Sequence, residues 1–271
     1  MEESERRVAV VGDDDRTETL REAVRDAGGR LVAARAATTE ADETAADDPN
    51  ATVGSPPVAE PVPDVTLAVG EAATRGALRD ATTGTVIPVG THRLAFGVDD
   101  AVGRIRRLLE GIDGSIDGVD RVTHSVLTVD TGTHSTYRAA ADVALVTEEP
   151  ARISEFSVRS ARGRAESFRA DGVAVATPFG SGGYANAVGG PIVEAGGGLS
   201  VVPIAPFSTR TGPRIAAERV TLCVERETEP VSLVVDGAVR ESVGPHRPIE
   251  IEIARRVDAL APSAGASPRA K

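Results

Sequence analysis

The chain is poor in several residue types, and each shortage removes a class of function. Lysine occurs once, at Lys271, and cysteine once, at Cys223; tryptophan is absent, and two Tyr and five Phe are all the aromatics. A single cysteine rules out an internal disulfide, and Cys223 lies in the alternating run Val220 to Val224, where a small buried thiol is the expected role. Nowhere do about eighteen apolar residues run together, so no membrane-spanning helix is expected. The opening residues MEESERR are charged and lead into no apolar stretch of the kind a secretory leader needs, which makes a cytoplasmic protein the expectation. Basic residues are also too few: 41 Asp and Glu against 30 Lys and Arg give a formal charge of -11. Such a surface repels nucleic acid and anionic membranes. With abundant Ala, Asp, Thr and Val, the scarcity of lysine and aromatics reads as the composition of a salt-adapted, halophilic protein.

What is present is an alternation of short apolar runs and helical periods over 271 residues, enough for two domains. Strands are expected at Arg7 to Gly12, Leu31 to Ala34, Val65 to Gly70 and Val86 to Val89, with helices at Thr17 to Ala27 and Ala72 to Arg79. Residues 35–63, rich in Ala, Thr, Asp and Pro without period, read as an acidic mobile loop. This pattern predicts an open α/β domain over 1–100 with a mainly parallel sheet. A helix at Ala101 to Glu110 opens the second part. Strands then crowd together at Val122 to Asp130, Tyr137 to Thr147, Ile153 to Arg159, Gly172 to Ala176, Val201 to Ile204, Arg219 to Val224, Ser232 to Val235 and Ile249 to Ile253. That density predicts a β-rich, sandwich-like domain over 101–255, followed by a partly disordered tail at 256–271.

The most informative segment is DGVAVATPFGSGGYANAVGGPIV, from Asp171 to Val193. A strand enters a turn rich in glycine and hydroxyls and then an expected helix. Gly180, Gly182 and Gly183 allow backbone N–H groups to approach a ligand, Thr177 and Ser181 supply hydroxyls, and a helix N-terminus would face an anion. On composition alone, two readings stand side by side: a phosphate or ribose site, and a tight turn at a sandwich edge.

The wording of the segment resembles the signature of the ATP-NAD kinase family, DG-x-x-V-x-TP-x-GS-x-x-Y-x-x-x-x-GGP-I. Asp171 and Gly172, Thr177 and Pro178, Gly180 and Ser181, Tyr184, and Gly189 to Ile192 fall in register without a gap. Pro203, Ile204, Pro206 and Ser208 resemble the family's proline-rich strand pair, and Asp236-Gly237 its later DG turn. The resemblance implies an α/β domain joined to a β-rich domain, with the ligand in the cleft between them and the last strand returning towards the first domain. It further implies that Asp171 hydrogen-bonds a ligand amide or ribose. Thr177, Ser181 and Gly183 would line an adenosine or ribose pocket, with Gly180 in the same turn, and Tyr184 would pack on a base or nicotinamide.

The resemblance is broken at the residues that do chemistry. The family's GGDGT turn reads here Gly70, Glu71, Ala72, Ala73, Thr74, so that only Gly70 and Thr74 are kept as expected ligand contacts. Ala72 stands at the aspartate position, and a methyl group accepts no proton, which leaves the catalytic residue unassigned; Glu71, one residue away, has two readings, a substitute acid and the more usual solvated glutamate. His92 falls near the asparagine of the next family turn; it could serve as a base, but with no paired carboxylate identifiable from sequence a lone histidine more often reads as a surface loop residue. The family's Asn-Glu pair becomes Ala141-Asp142, with Asp142 left to bind a hydroxyl. No metal ligands are picked out by spacing. Three functions follow from the resemblance. The first is phosphorylation of NAD to NADP by ATP or another phosphate donor, with magnesium. The second is a non-catalytic NAD or NADP binder that assembles with itself or with an active paralogue. The third is a kinase for another hydroxyl-bearing small molecule.

Overall fold

The computed structural model describes residues 5–263 except 14, 34–61, 82–83, 134, 150–151, 162 and 164. Residues 35–61 of the expected acidic loop, and 264–271 of the expected tail, lie outside the described residues.

The first part runs β1 (Arg7–Val11), α1 (Arg16–Asp26), β2 (Arg30–Leu31), β3 (Val65–Val69), α2 (Glu71–Asp80), β4 (Thr85–Val89) and α3 (Val98–Glu110). Its strands are parallel in the order β2-β1-β3-β4. Val8, Val10, Leu67 and Ile87 on one face pack on Leu20 and Val24 of α1 and on Ile105, Leu108 and Leu109 of α3. The opposite face, through Ala68 and Val86, meets Leu78 of α2. A parallel sheet covered on both faces requires such continuous apolar strands, which VTLAV and TVIPV supply. The expected division at 101 falls inside α3. That helix repeats apolar residues at Ala101, Ile105 and Leu108, and buries them in the first core, so the α/β layer extends to the end of the helix.

The second part contains β5 (Val119–Asp130), β6 (Thr136–Ala139), β7 (Asp142–Thr147), β8 (Ser154–Ser160), β9 (Glu166–Ala170), β10 (Gly172–Ala176), α4 (Tyr184–Ala187), β11 (Leu199–Ile204), β12 (Arg214–Ala216), β13 (Arg219–Arg226), β14 (Val231–Val235), β15 (Ala238–Ser242) and β16 (Ile249–Pro262). Six of these strands form an antiparallel sheet in the order β12-β11-β10-β7-β14-β15. Its inner face, with Leu145, Val173, Leu199 and Leu233, packs on Leu127, Phe156 and Leu222 of the other sheet to make the sandwich core. The short strands β9, β12 and β15 were not expected from sequence. They lie at sheet edges and carry charged residues such as Glu166, Arg214 and Glu241, which hides the alternation and discourages further strand pairing.

β16 joins the two parts. Its first half pairs with β13, its whole length pairs antiparallel with β5, and Ala259 bridges Val86 of β4 in parallel. The parallel sheet therefore continues into the sandwich as one ten-stranded sheet. Residues 256–262 are thus ordered strand and not tail, because Val257, Ala259, Leu260 and Ala261 are buried between the two halves.

The strand expected over Tyr137 to Thr147 is two strands in two sheets: β6 pairs with β5, while β7 lies between β10 and β14. The chain changes sheets at Ala140 and Ala141. Asp236, at φ 50 in the turn between β14 and β15, makes that change possible. Its carboxylate accepts the backbone N–H groups of Ala140 (3.0 Å), Ala141 (2.8 Å) and Asp142 (3.2 Å), which have left one ladder before joining the next.

Candidate functional site

A cavity of about 870 Å³ opens where this sheet change, α2 and the glycine turn converge. Asp142, Ala144 and Val146 of β7 with Ser232 and Val234 of β14 form its floor, and these are the residues that alternate with the inward-facing core positions of the same strands. Gly180, Gly182, Gly183 and Tyr184 form one wall, and Glu71 and Arg75 of α2 with His92 form the other. Tyr184 is 45% exposed, so its ring stands open to the cavity. Burial, then the charges of Asp142 and Asp171, raise its phenol pKa and keep it a hydrogen-bond donor at neutral pH.

Asp142 is the polar centre of the floor. Burial and then the adjacent Asp236 charge push its carboxyl up to about 6, against the opposing pull of Arg75. The Asp236 side chain is 3% exposed and lies 3.8 Å from Arg79 of α2. It fixes the backbone of Asp142 while its charge makes Asp142 a weaker acid.

The glycine turn is built by hydroxyls that face inward. Thr177 is fully buried; its hydroxyl lies 2.7 Å from the Ala140 carbonyl and accepts the Gly180 N–H at 3.2 Å. Ser181 donates to the Pro178 carbonyl and accepts the Val193 N–H. Both side chains were expected to line the pocket, and neither does, because their polar atoms are consumed in holding the turn against the sheet change. Gly180 does line it, and only glycine fits: a Cβ there would sit 2.2 Å from the Ala141 carbonyl oxygen. The helix expected after the turn is a single four-residue turn, α4, too short to direct a dipole at an anion. Asp171 is not among the cavity-lining residues; its carbonyl instead accepts the N–H and hydroxyl of Thr147.

A second, smaller cleft of about 50 Å³ lies at the carboxyl ends of the parallel strands, lined by Gly70, Thr74, Gly90, Thr91 and Arg16 among others. Ligands of open α/β sheets bind at this end. Gly70, at φ 88, turns the chain from β3 into α2, and the Thr74 hydroxyl lies 2.8 Å from its carbonyl. Ala72 lines neither cavity, whereas Glu71 and His92 line both.

His92 is a half-buried loop residue. The Leu94 N–H donates to its Nδ1 at 3.2 Å, so its Nε2–H donates to the Phe179 carbonyl, also at 3.2 Å, and burial lowers its pKa. Its ring lies 4.3 Å from that of Phe179, which also meets His124 edge-on at 5.6 Å. His124, 1% exposed, has no hydrogen-bond partner for either ring nitrogen among the described residues, and burial lowers its pKa to about 4.

Of the residues expected to contact the ligand, the structure brings Asp142, Gly180, Gly183 and Tyr184 together on the large cavity, and Gly70 and Thr74 on the adjoining cleft. Sequence reasoning missed Arg75, Thr147, Glu148 and Ser232. Alternation along β7 and β14 would have put Ser232 on the outer face with Asp142, had their pairing been known. Among the described residues no three His, Cys, Asp or Glu side chains cluster closely enough to hold a metal ion.

The domain model described as ATP-NAD kinase C-terminal domain matches residues 140–261. An NAD kinase of Methanospirillum hungatei is 40% identical over 95 residues, 34% of this chain and 35% of that protein. A bifunctional NADP phosphatase/NAD kinase of Methanocaldococcus jannaschii is 37% identical over 105 residues, 38% of this chain and 18% of that one. The chain thus aligns with about a third or less of the length of these curated relatives. In fold it is similar to an NAD kinase from Archaeoglobus fulgidus solved with ATP (TM-score 0.66, 21% identity, 94% of this chain and 92% of that chain). It is also similar to a yeast NADH kinase solved with NADH (TM-score 0.71, 15% identity, 98% and 86%).

Proposed function

We propose that this chain, whose residues 140–261 match the ATP-NAD kinase C-terminal domain, is a member of that family, that its large cavity holds a pyridine dinucleotide, NAD or NADP, and that it phosphorylates the 2′-hydroxyl of NAD. ATP or another polyphosphate is the donor. The carrying observation is the union of two spaces. A roomy cavity with a carboxylate floor and an open tyrosine, suited to ribose and a planar ring, adjoins a glycine-lined cleft at the carboxyl ends of parallel strands, suited to phosphates. The solved relatives with ATP and with NADH support the two ligand classes. Among the described residues the cavity has one lining arginine, Arg75, against the carboxylates of Glu71, Asp142, Glu148 and Asp236, which favours hydroxyl-bearing parts of the ligand there and leaves the phosphates to the cleft.

Magnesium belongs to this chemistry as part of the nucleotide substrate, since phosphates complete its shell and one or two carboxylates suffice from the protein. The described residues offer no cage for a resident ion.

Ala72 favours a second reading: a protein that binds the dinucleotide without turning it over, and acts in assembly with itself or with an active paralogue. Purified protein in high salt, assayed for NADP formation with ATP and with polyphosphate beside calorimetric titration of NAD and NADP, separates the two. Turnover supports the kinase; binding without turnover supports the regulator; absence of binding removes both.

A further inference from the structure

In a phosphoryl transfer the attacking hydroxyl and the γ-phosphorus meet where the acceptor's space joins the donor's. Of the described residues lining the two spaces, only Glu71 and His92 are common to both. His92 is unsuited to take a proton there. One ring nitrogen accepts the Leu94 N–H, the other donates to the Phe179 carbonyl, and the ring is wedged against Phe179. Asp142 lines the larger cavity alone, and Ala72 lines neither.

Glu71 differs from these in every respect. Its side chain is 58% exposed into the junction, and Arg75 one helical turn on holds it through Oε1 at 2.9 Å. The helix beneath it is fixed at both ends. Thr74 ties the first turn to the carbonyl of Gly70, while Arg255 of β16 donates to the last carbonyls, those of Arg79 and Ala81. Arg79, in turn, stands by Asp236, which holds Asp142. A single rigid element therefore sets the distance between Glu71 and the cavity floor, the condition that positioned proton transfer requires.

We propose that Glu71 accepts the proton of the attacking hydroxyl, a role that rests on the phosphoryl-transfer reading above. The hydroxyl oxygen forms a bond to the γ-phosphorus of ATP as the bond from that phosphorus to the β,γ-bridging oxygen breaks. ADP leaves with the electron pair of the broken bond. The hydroxyl proton passes to the Glu71 carboxylate and from there to water, and Arg75 keeps the carboxylate aimed.

The test compares wild type, Glu71→Gln, Glu71→Asp and Asp142→Asn for NADP formation from NAD and ATP, with NAD affinity measured separately by calorimetry. Glu71→Gln is expected to lower kcat by about 10²- to 10⁴-fold, the usual worth of a general base. Its NAD dissociation constant should stay within about threefold, a transition-state effect and not a binding one. Glu71→Asp keeps a carboxylate and is expected to retain more turnover than Glu71→Gln. Asp142→Asn is expected to weaken NAD binding. The proposal is overturned if Glu71→Gln turns over like wild type, or if it loses affinity in step with rate. A wild-type protein that binds NAD but makes no NADP overturns it as well, leaving the binding reading intact; only absence of NAD binding would remove that reading too.

Discussion

Asp142 and His124 respond to the same pH window in opposite directions. The Asp142 carboxyl is raised from 3.8 to about 6, so the folded state holds its proton more tightly than the unfolded chain; the stability this gives is complete below 3.8 and lost as pH rises through 6. His124 is lowered from 6.5 to about 4, so its contribution is complete above 6.5 and lost as pH falls through 4. Replacing His124 with Leu is expected to flatten the acid side of the stability curve. Between pH 6.5 and 4, wild type should lose more stability than the variant by on the order of 3 kcal/mol in urea unfolding. For Asp142 the readout is ligand affinity. A ribose hydroxyl donates to the ionised carboxylate, so NAD binding by calorimetry should weaken as pH falls from 8 to 5, and Asp142→Asn should remove that slope. An NAD affinity unchanged across this range would place the ribose elsewhere.

At the scale of elements, the passage from β6 to β7 is where sequence legibility ended. The helices and most strands could be read from their periods, because burial on one face leaves a repeat in the sequence. TYRAAADVALVT keeps an unbroken strand pattern through the point where the chain leaves one sheet for the other, so nothing local marks the break. The marker is Asp236, far away in sequence, whose carboxylate replaces a missing ladder partner. For the same reason Thr177 and Ser181 looked like ligand groups: a hydroxyl beside glycines has the same spelling whether it points out to a ligand or in to a carbonyl. Replacing Asp236 with Ala leaves three N–H groups without their acceptor and should cost about 3 kcal/mol of stability, with faster hydrogen exchange at the amides of residues 140–142. Exchange unchanged at those amides would mean that the sheet change is held by its neighbours and not by this side chain.

Over the whole molecule, charge works against compactness. The described ion pairs are mostly exposed Arg–Glu and Arg–Asp contacts, each of little worth in water, while a net charge of -11 repels itself across the entire surface. Salt screens both, but the unpaired excess of acid is the larger effect. Raising potassium chloride from about 0.1 M to 1 M shortens the screening length from roughly 10 Å to 3 Å and should raise the melting temperature by several degrees. A fall in melting temperature would mean that the surface pairs, taken together, outweigh the repulsion.

The long strand β16 also sets an order in time. On the ribosome, residues 249–262 emerge after every other described strand, yet they fill the position between β4 near the start of the chain and β5. Until then the nascent parallel sheet ends in an open edge at β4, and the sandwich lacks the strand that lies between β13 and β5. Early folding can collapse each half, but closing the register between them waits for the late strand, a long-range pairing of the kind that slows folding and exposes unpaired edges to other chains. The Arg255 clamp on the last carbonyls of α2 is gained only when β16 is released.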